Sequence, residues 1–504
     1  MFEILAVLLS FKNYYIHDSC RGIYNRQNVK RMTDRNRKFF KDFSIYAVGN
    51  LGSKLITFLM VPLYTYFVTD PADFGQYDLC LTFCMMAMPL ATLQLREGSF
   101  RFLIGSDTNA HEIHSKVVSF VYRSIIGTNS LILLLAAIVS TLSDFPYTWQ
   151  TTALLMSMSI YEIQSQIIRG LGDNKTFVIM GITTSFGIGV LSIVFVAFMG
   201  MGINGIFLSN ILSRLFSMLV GELRKPTIAP FLSDWSIDKH IVKEILHFSL
   251  PLIPTAICWW ITTSSNRYFL NYFCDSDTVG IYAVASKFSS IVLTLSIIFY
   301  QTWQETAITQ YSSPDKDKFF SKIFNTYIIV LCTLLIGYTF LVKVCYGWLV
   351  GPNYQDSSKY VYLLGIGAIL YAISAFFELG YQCSKETNRS IWSVMLTMCA
   401  NIALNFLLVP RFGIYGAVFT SIVSYLLLIS YRWIETCSRY YRIVINKHCI
   451  IPLALVFLCA VPYSFTNSIV VNILVPISAM AIIFVCVPRD VTRRVIKRFS
   501  MSRR

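Results

Sequence analysis

Fourteen separate stretches of this chain are apolar enough, over about twenty residues each, to cross the hydrocarbon of a bilayer. They fall at about 42–68, 74–95, 117–142, 147–168, 177–200, 203–222, 246–272, 278–303, 320–345, 358–382, 390–409, 412–434, 448–465 and 468–487. One water-soluble core cannot enclose that much apolar surface. Of 504 residues, 55% are hydrophobic and only 14% charged, where soluble domains carry roughly 25% charged residues. The expected fold class is an all-α polytopic membrane protein with about fourteen transmembrane helices.

A net charge of +15 raises the question of nucleic acid, but its placement points elsewhere. Thirty-four Lys and Arg fall in the amino-terminal segment, in alternate connections and in the tail RDVTRRVIKRFSMSRR. The opposite connections hold Lys343, Lys359 and Arg411, and carry acids in TDPADFG and CDSDTVG. By the positive-inside rule both termini face the cytoplasm, and an even span count agrees. The basic face suits anionic membrane lipids, and no nucleic-acid partner is expected. In the first residues, ILAVLLSF is too short to span and lacks a preceding basic flank. Met32 would be a natural start, so residues 1–31 are expected to be an extension without fixed structure.

The sequence repeats itself. Shifted by 205, Phe43–Phe83 lies over Phe248–Phe288 without a gap, pairing Asp70 with Asp275, Gly75 with Gly280, Tyr77 with Tyr282 and Phe83 with Phe288. A shift of 216 matches Glu162 to Glu378 and Gln166 to Gln382; a shift of 211 lays GINGIFLSNILSRL over GIYGAVFTSIVSYL. This is an internal duplication. Each copy has six spans, so the copies share one orientation, related by an axis along the membrane normal. The expected organisation is a basic amino-terminal segment (1–41), a six-helix bundle (42–222), a cytoplasmic linker (223–245), a second bundle (246–435), two further helices (436–488) and a basic tail (489–504). A shared site would lie between the bundles near the midplane, and their rocking would give alternating access.

Pro62 in span 1 and Pro251 and Pro254 in its repeat mate, span 7, are the expected hinges, because proline removes a backbone hydrogen bond and kinks a helix. A static kink is the alternative. The thirteen cysteines form no CxxC and read as apolar fillers. HEIH (His111–His114) lacks the i, i+4 spacing of a zinc helix and reads as a solvated loop. No metal, cofactor or catalytic residue is expected.

Charges at bilayer depth carry the functional reading. Lys54 in span 1 and Lys287 in span 8 lie near mid-depth, and Arg267 lies in the outer third of span 7. A central Lys or Arg costs about 2.5–3.5 kcal/mol on insertion scales, so each must face water, a partner or a ligand. One reading is a cationic cavity for an anionic substrate. The other is snorkelling or pairing with an acid, and Asp78 near the outer mouth of span 2 is placed to pair with Arg267 or Lys287. Glu162, Glu378 and Asp78 are candidates for coupling to H+ or Na+; a structural hydrogen bond to a connecting loop is the alternative for the glutamates.

The run FSIYAVGNLGSKLITFLMVPLYTYFVTDPADFGQYDLCLTF, followed by PLATLQLREGSFRFLIG, resembles the opening of Wzx-type polysaccharide-biosynthesis flippases of the multidrug/oligosaccharidyl-lipid/polysaccharide (MOP) transporter superfamily. The shared features are a glycine-containing first helix, Pro62-Leu-Tyr64, Asp73-Phe-Gly75-Gln-Tyr77 and Arg101-Phe102. The resemblance spans roughly residues 40–490. It implies a V-shaped pair of six-helix bundles in the bacterial inner membrane. The implied substrate is an undecaprenyl-pyrophosphate-linked oligosaccharide for O-antigen, capsule or exopolysaccharide, moved from the cytoplasmic to the periplasmic leaflet. Contact with polysaccharide polymerase machinery is a further implied partner. Related lipid II flippases place cavity cations on their first, second, seventh and eighth helices, and Lys54, Arg267 and Lys287 stand on three of these. A gap between spans 1 and 8 is the expected exit for the lipid tail.

Two rivals remain at this stage. A multidrug or metabolite cation antiporter of the same superfamily is expected to place acids in its cavity, whereas the mid-depth charges here are lysines. A membrane glycosyltransferase or ligase is expected to carry a large outer loop with paired carboxylates, and the outer connections are short. The chain therefore reads as a transporter and not an enzyme.

Overall fold

The computed structural model describes residues 56, 58–103, 110–228, 238–384, 386–465 and 469–486. Among these no strand occurs. The first bundle holds α1 (Phe58–Phe67), α2 (Pro71–Ala91), α3 (Leu95–Leu103), α4 (Ala110–Leu142), α5 (Thr148–Gly170), α6 (Asn174–Ser192) and α7 (Gly202–Arg224). A π-helical turn, Ile193–Phe198, continues α6. After α8 (Lys239–Ser249) come α9 (Leu252–Ser264), α10 (Asn266–Phe273), α11 (Ser276–Gln310), α12 (Lys316–Leu349), α13 (Ser358–Ser384), α14 (Thr387–Phe412) and α15 (Ile414–Arg439). The chain continues through α16 (Lys447–Phe465) and α17 (Ile469–Cys486). Among the described residues nine helical segments are long and apolar enough to cross a membrane, or ten if the bent pair α2–α3 is one span. Helices occupy the positions of expected spans 2–14, but those over 147–168, 448–465 and 468–487 are not among the segments long and apolar enough to cross; of span 1 only the carboxyl-terminal part is described. The expected segments 1–41 and 489–504 lie outside the described residues. HEIH, expected as a loop, falls within α4: the apolar run that follows carries the helix back through it.

The duplication explains several local choices. Asp70 and Asp275, identical in the alignment, are both N-caps. Asp70 accepts from the Ala72 N–H at 2.9 Å and Asp275 from the Thr278 N–H at 2.7 Å, each satisfying an otherwise orphaned helical donor. Gly75 and Gly280 pack the two copies against each other. A Cβ on Gly75 would stand 2.1 Å from the Ser276 carbonyl oxygen, and one on Gly280 would stand 2.0 Å from that of Pro71. Pro71 and Ser276 are themselves repeat equivalents, so the contact is self-complementary, like an isologous interface. Only glycine lets α2 and α11 approach this closely.

The same ends are tied by the turn before α13. Gly351 N–H donates to Thr65 Oγ1 at 3.0 Å, and the Tyr354 hydroxyl reaches the carbonyls of Val68 and Asp70 at 2.8 and 3.0 Å. At the opposite end, α8 packs on α3: Arg101 lies over the Phe248 ring at 4.5 Å, and Ile245 joins a buried cluster with Leu95, Leu103 and Ile163.

Proline behaves differently at each expected hinge. Pro251 sits in the break between α8 and α9, and Pro254 lies in the first turn of α9, where a missing N–H costs little. Pro62 lies inside α1. A sharp bend falls elsewhere: α2 and α3 meet at 52°, through Leu93 and Gln94 at φ of 48° and 52°. Pro89 lies one turn before it.

Candidate functional site

Where α2, α10 and α11 meet, three charged side chains converge across the seam between the bundles. Asp78 of α2 is almost fully buried. Its Oδ2 accepts a hydrogen bond from Arg267 Nε of α10, and its Oδ1 lies 4.0 Å from Lys287 Nζ of α11. Arg267 also donates through Nη2 to Ser286 Oγ at 3.3 Å and packs 5.5 Å from the centre of the Tyr282 ring. Two donors from the second bundle close the seam around Asp78: Trp260 Nε1 to the Thr82 carbonyl at 3.0 Å and the Tyr268 hydroxyl to the Leu79 carbonyl at 3.1 Å.

Charge bookkeeping sets the chemistry of this cluster. Among the described residues one carboxylate faces two cations, a net positive count. Arg267 and Lys287 keep side-chain exposures of 15% and 25%, against 3% for Asp78, so the accessible rim of the cluster is cationic. A planar guanidinium beside an ammonium suits a phosphate oxyanion. In the alignment these charges have no charged repeat mates: Asp78 falls on Ala283, Lys287 on Thr82 and Arg267 on Pro62. The site is an asymmetric feature built on a symmetric frame. Lys54 lies outside the described residues.

The matched glutamates have unlike partners. Glu162 Oε2 accepts from Arg96 Nη1 at 3.3 Å, with side chains 32% and 42% exposed; Arg96 also meets Glu97 at 2.8 Å. Glu378 Oε2 accepts from Arg432 Nη1 at 3.1 Å, and the Arg432 side chain is fully buried. Arg432 also donates to the Ser374 carbonyl at 3.1 Å and to Ser393 Oγ at 3.1 Å. Arg432 is one of the thirty-four Lys and Arg counted toward the basic side, although it falls at the edge of expected span 412–434. It belongs instead to the interior of α15, which runs on to Arg439. Nothing in the one-letter pattern separates it from the basic residues that follow.

The structure thus brings Asp78, Arg267 and Lys287 together and leaves Glu162 and Glu378 in separate bundles. Spans 1 and 8, expected to part, touch at one depth in this state: Phe58 of α1 meets Phe288 of α11 edge-on at 5.2 Å. Sequence reasoning passed over Trp260, Tyr268 and Ser286. Their donors matter only once helix pairing is known.

Residues 39–304 match the family described as polysaccharide biosynthesis protein, more than half of the chain and a stretch that holds the whole charged cluster. The chain belongs to that family. Among proteins similar to this family member, one of the lsg locus of Haemophilus influenzae is 22% identical over 408 residues, covering 76% of this chain and 96% of that protein. A membrane protein of Methanocaldococcus jannaschii is 22% identical over 229 residues, 43% of this chain; the match spans 44% of that relative's length. Among solved structures, an inward-facing multidrug resistance MATE family transporter of the MOP superfamily aligns with a TM-score of 0.64 at 12% identity, over 78% of this chain and 98% of that one. The lipid II flippase MurJ, in an inward closed conformation, aligns with a TM-score of 0.61 at 14% identity, over 89% and 99%. These likenesses establish the fold: a multi-pass helical membrane protein built like these two transporters.

Proposed function

We propose that this protein is a flippase that carries a lipid-linked oligosaccharide pyrophosphate between leaflets, with Arg267 and Lys287 receiving the pyrophosphate. The observation that carries the reading is the net positive cluster at the seam, two cations to one buried carboxylate. A pyrophosphate diester cannot enter hydrocarbon without its charge being offset, because desolvating an anion costs far more than any neutral group. Cations already held at depth supply that offset. Lys54, one of the three expected binding cations, is proposed as a third contributor. The lipid tail stays in the bilayer while the headgroup follows the seam, and the duplicated bundles rock about it with the termini in the cytoplasm.

Asp78 gives the cycle a means of exchange. A pyrophosphate that takes the Arg267 guanidinium competes with the Asp78 carboxylate. Asp78, once displaced, is a carboxylate able to take H+ or Na+. In this reading Asp78 couples ion and substrate more directly than Glu162 or Glu378, whose arginines lie away from the seam. Pro251, at the α8–α9 break, is the proposed hinge of the second bundle.

The test is surface-glycan assembly in cells lacking the chromosomal copy. Lys287→Glu and Arg267→Ala, present at normal levels in the membrane, are expected to reduce assembled glycan at least tenfold. Normal glycan with either variant, together with altered resistance to cationic drugs, would overturn the reading in favour of a cation antiporter.

A further inference from the structure

A cavity lies within the second bundle. It has a volume of about 460 Å³ and is lined by Trp259, Ser296, Tyr300, Gln304, Tyr371 and Glu378, among others. Its size falls in the ~300–1,000 Å³ range of small-ligand pockets. The lining is aromatic and hydrogen-bonding. Trp259 and Tyr371 stand edge to face at 5.8 Å. Gln304 Nε2 donates to Gln382 Oε1 at 2.5 Å, and Gln382 Nε2 donates to the Tyr300 hydroxyl at 3.0 Å.

Two ligand chemistries fit aromatic walls with one acid: an organic cation or a sugar. The charge state decides between them. Glu378 is matched by buried Arg432 at 3.1 Å, and the Arg432 guanidinium lies 5.5 Å from the Trp259 ring. The negative charge that would hold a cation is already neutralised, and a guanidinium occupies the cation position beside the indole. Aromatic faces, the Gln304 amide, the Ser296 hydroxyl and a carboxylate with lone pairs beyond the one Arg432 uses are instead what a neutral polyhydroxylated ring requires.

The cavity connects to the charged cluster along one helix. Lys287, Ser290, Leu293, Ile297, Tyr300 and Gln304 recur at spacings of three and four on α11, so they form one stripe. At 1.5 Å per residue the stripe runs about 25 Å. Ser290 and Ile297, between its ends, are exposed. We infer that this cavity is a saccharide subsite: sugar rings of the substrate dock on Trp259, Tyr300 and Tyr371 while the pyrophosphate rests at Lys287 and Arg267. The inference builds on the flippase reading and adds a location for the glycan.

The experiment measures binding to the purified full-length protein in nanodiscs by titration calorimetry and saturation-transfer NMR. The probes are inorganic pyrophosphate, a panel of neutral disaccharides (diacetylchitobiose, lactose, cellobiose) and tetraphenylphosphonium. At least one disaccharide is expected to bind, and Tyr371→Ala and Gln304→Ala should each weaken it at least fivefold without changing pyrophosphate affinity. These variants leave the Glu378–Arg432 pair in place, and a thermal melt together with unchanged pyrophosphate affinity checks that they are folded. Lys287→Glu should weaken pyrophosphate at least tenfold and leave the disaccharide unchanged. Pyrophosphate binding with no disaccharide binding, or disaccharide binding indifferent to Tyr371→Ala, overturns the subsite and leaves the flippase reading standing. Failure of pyrophosphate to bind overturns the flippase reading itself. Tetraphenylphosphonium binding that Tyr371→Ala abolishes overturns the sugar assignment.

Discussion

Helix α2 of the first bundle and α11 of the second start alike and end differently. Each opens on an aspartate cap and crosses the other at a glycine five residues later. Helix α2 then stops at Ala91 and bends by 52° into α3, while α11 runs unbroken to Gln310, 35 residues in all. The unbroken helix carries the stripe from Lys287 to Gln304; the broken one swings Arg96 to Glu162. The buried polar groups diverge in the same way. The second bundle holds a neutral network, in which Asn266 donates to the Ala417 carbonyl at 3.0 Å and Asn405 donates to Asn266 and Asn401 at 2.9 and 3.0 Å, together with the Arg432 pair. A duplicated frame can therefore keep its caps and crossing points while its two interiors specialise. Symmetry preserves what closes the frame, and asymmetry falls at the charged cluster proposed to receive the substrate.

The paired glutamates put this contrast to its hardest test. Glu378→Ala leaves a fully buried guanidinium without its carboxylate, a loss of about 3–5 kcal/mol. Glu162→Ala removes an exposed pair worth about 0–1 kcal/mol. Thermal melts of the purified variants should show a large fall for the first and a small one for the second; equal falls would break the comparison.

The shared crossing comes next. Gly75→Ala and Gly280→Ala each press a methyl group against a backbone oxygen that cannot rotate away, so α2 and α11 must separate. Overpacking of this kind costs about 1–3 kcal/mol or more, and the two substitutions should be nearly equivalent in melting temperature. An effect at one glycine alone would deny the symmetric contact.

Smaller effects fall at the helix starts. Asp173 caps α6, accepting from the Thr176 N–H at 3.0 Å and the Thr176 hydroxyl at 2.7 Å, whereas α14 begins at Glu386 with no side-chain cap. Asp173→Ala should cost about 1 kcal/mol; Glu386→Ala loses no cap, only its half-exposed pair with Arg389 at 2.6 Å and the Tyr440 hydroxyl's hydrogen bond at 3.0 Å. Partial burial acts to raise the Asp173 carboxyl, but the Thr176 donors with Lys225 and Arg224 more than offset it and hold it below its usual range. Its contribution is therefore complete above the ordinary carboxylate range and fades as pH falls through the lowered folded value. Melts in acid should show wild type and Asp173→Ala converging. Least of all, Gln94→Gly relieves a left-handed residue and should stabilise by about 0.5 kcal/mol.

Much of the frame was legible because apolar length and Lys/Arg asymmetry are one-dimensional signals. The spans, the duplication and the aspartates and glycines at its seam can all be read along the chain. The bend at Leu93–Gln94 was not, since neither residue type favours positive φ and tertiary packing holds it. The site was half legible. Arg267, Lys287 and Asp78 draw attention as charges in apolar helices, but their convergence depends on α2 crossing α11. The Arg432 pair and the aromatic cavity were hidden, because a buried arginine in a basic stretch and tyrosines in an aromatic-rich chain look like their neighbours.

The most direct test of the account is the affinity of the full-length protein in nanodiscs for undecaprenyl pyrophosphate, compared with Lys287→Glu and with Glu162→Gln. The seam cluster predicts at least a tenfold loss for Lys287→Glu and wild-type affinity for Glu162→Gln. Undiminished affinity in Lys287→Glu would contradict it.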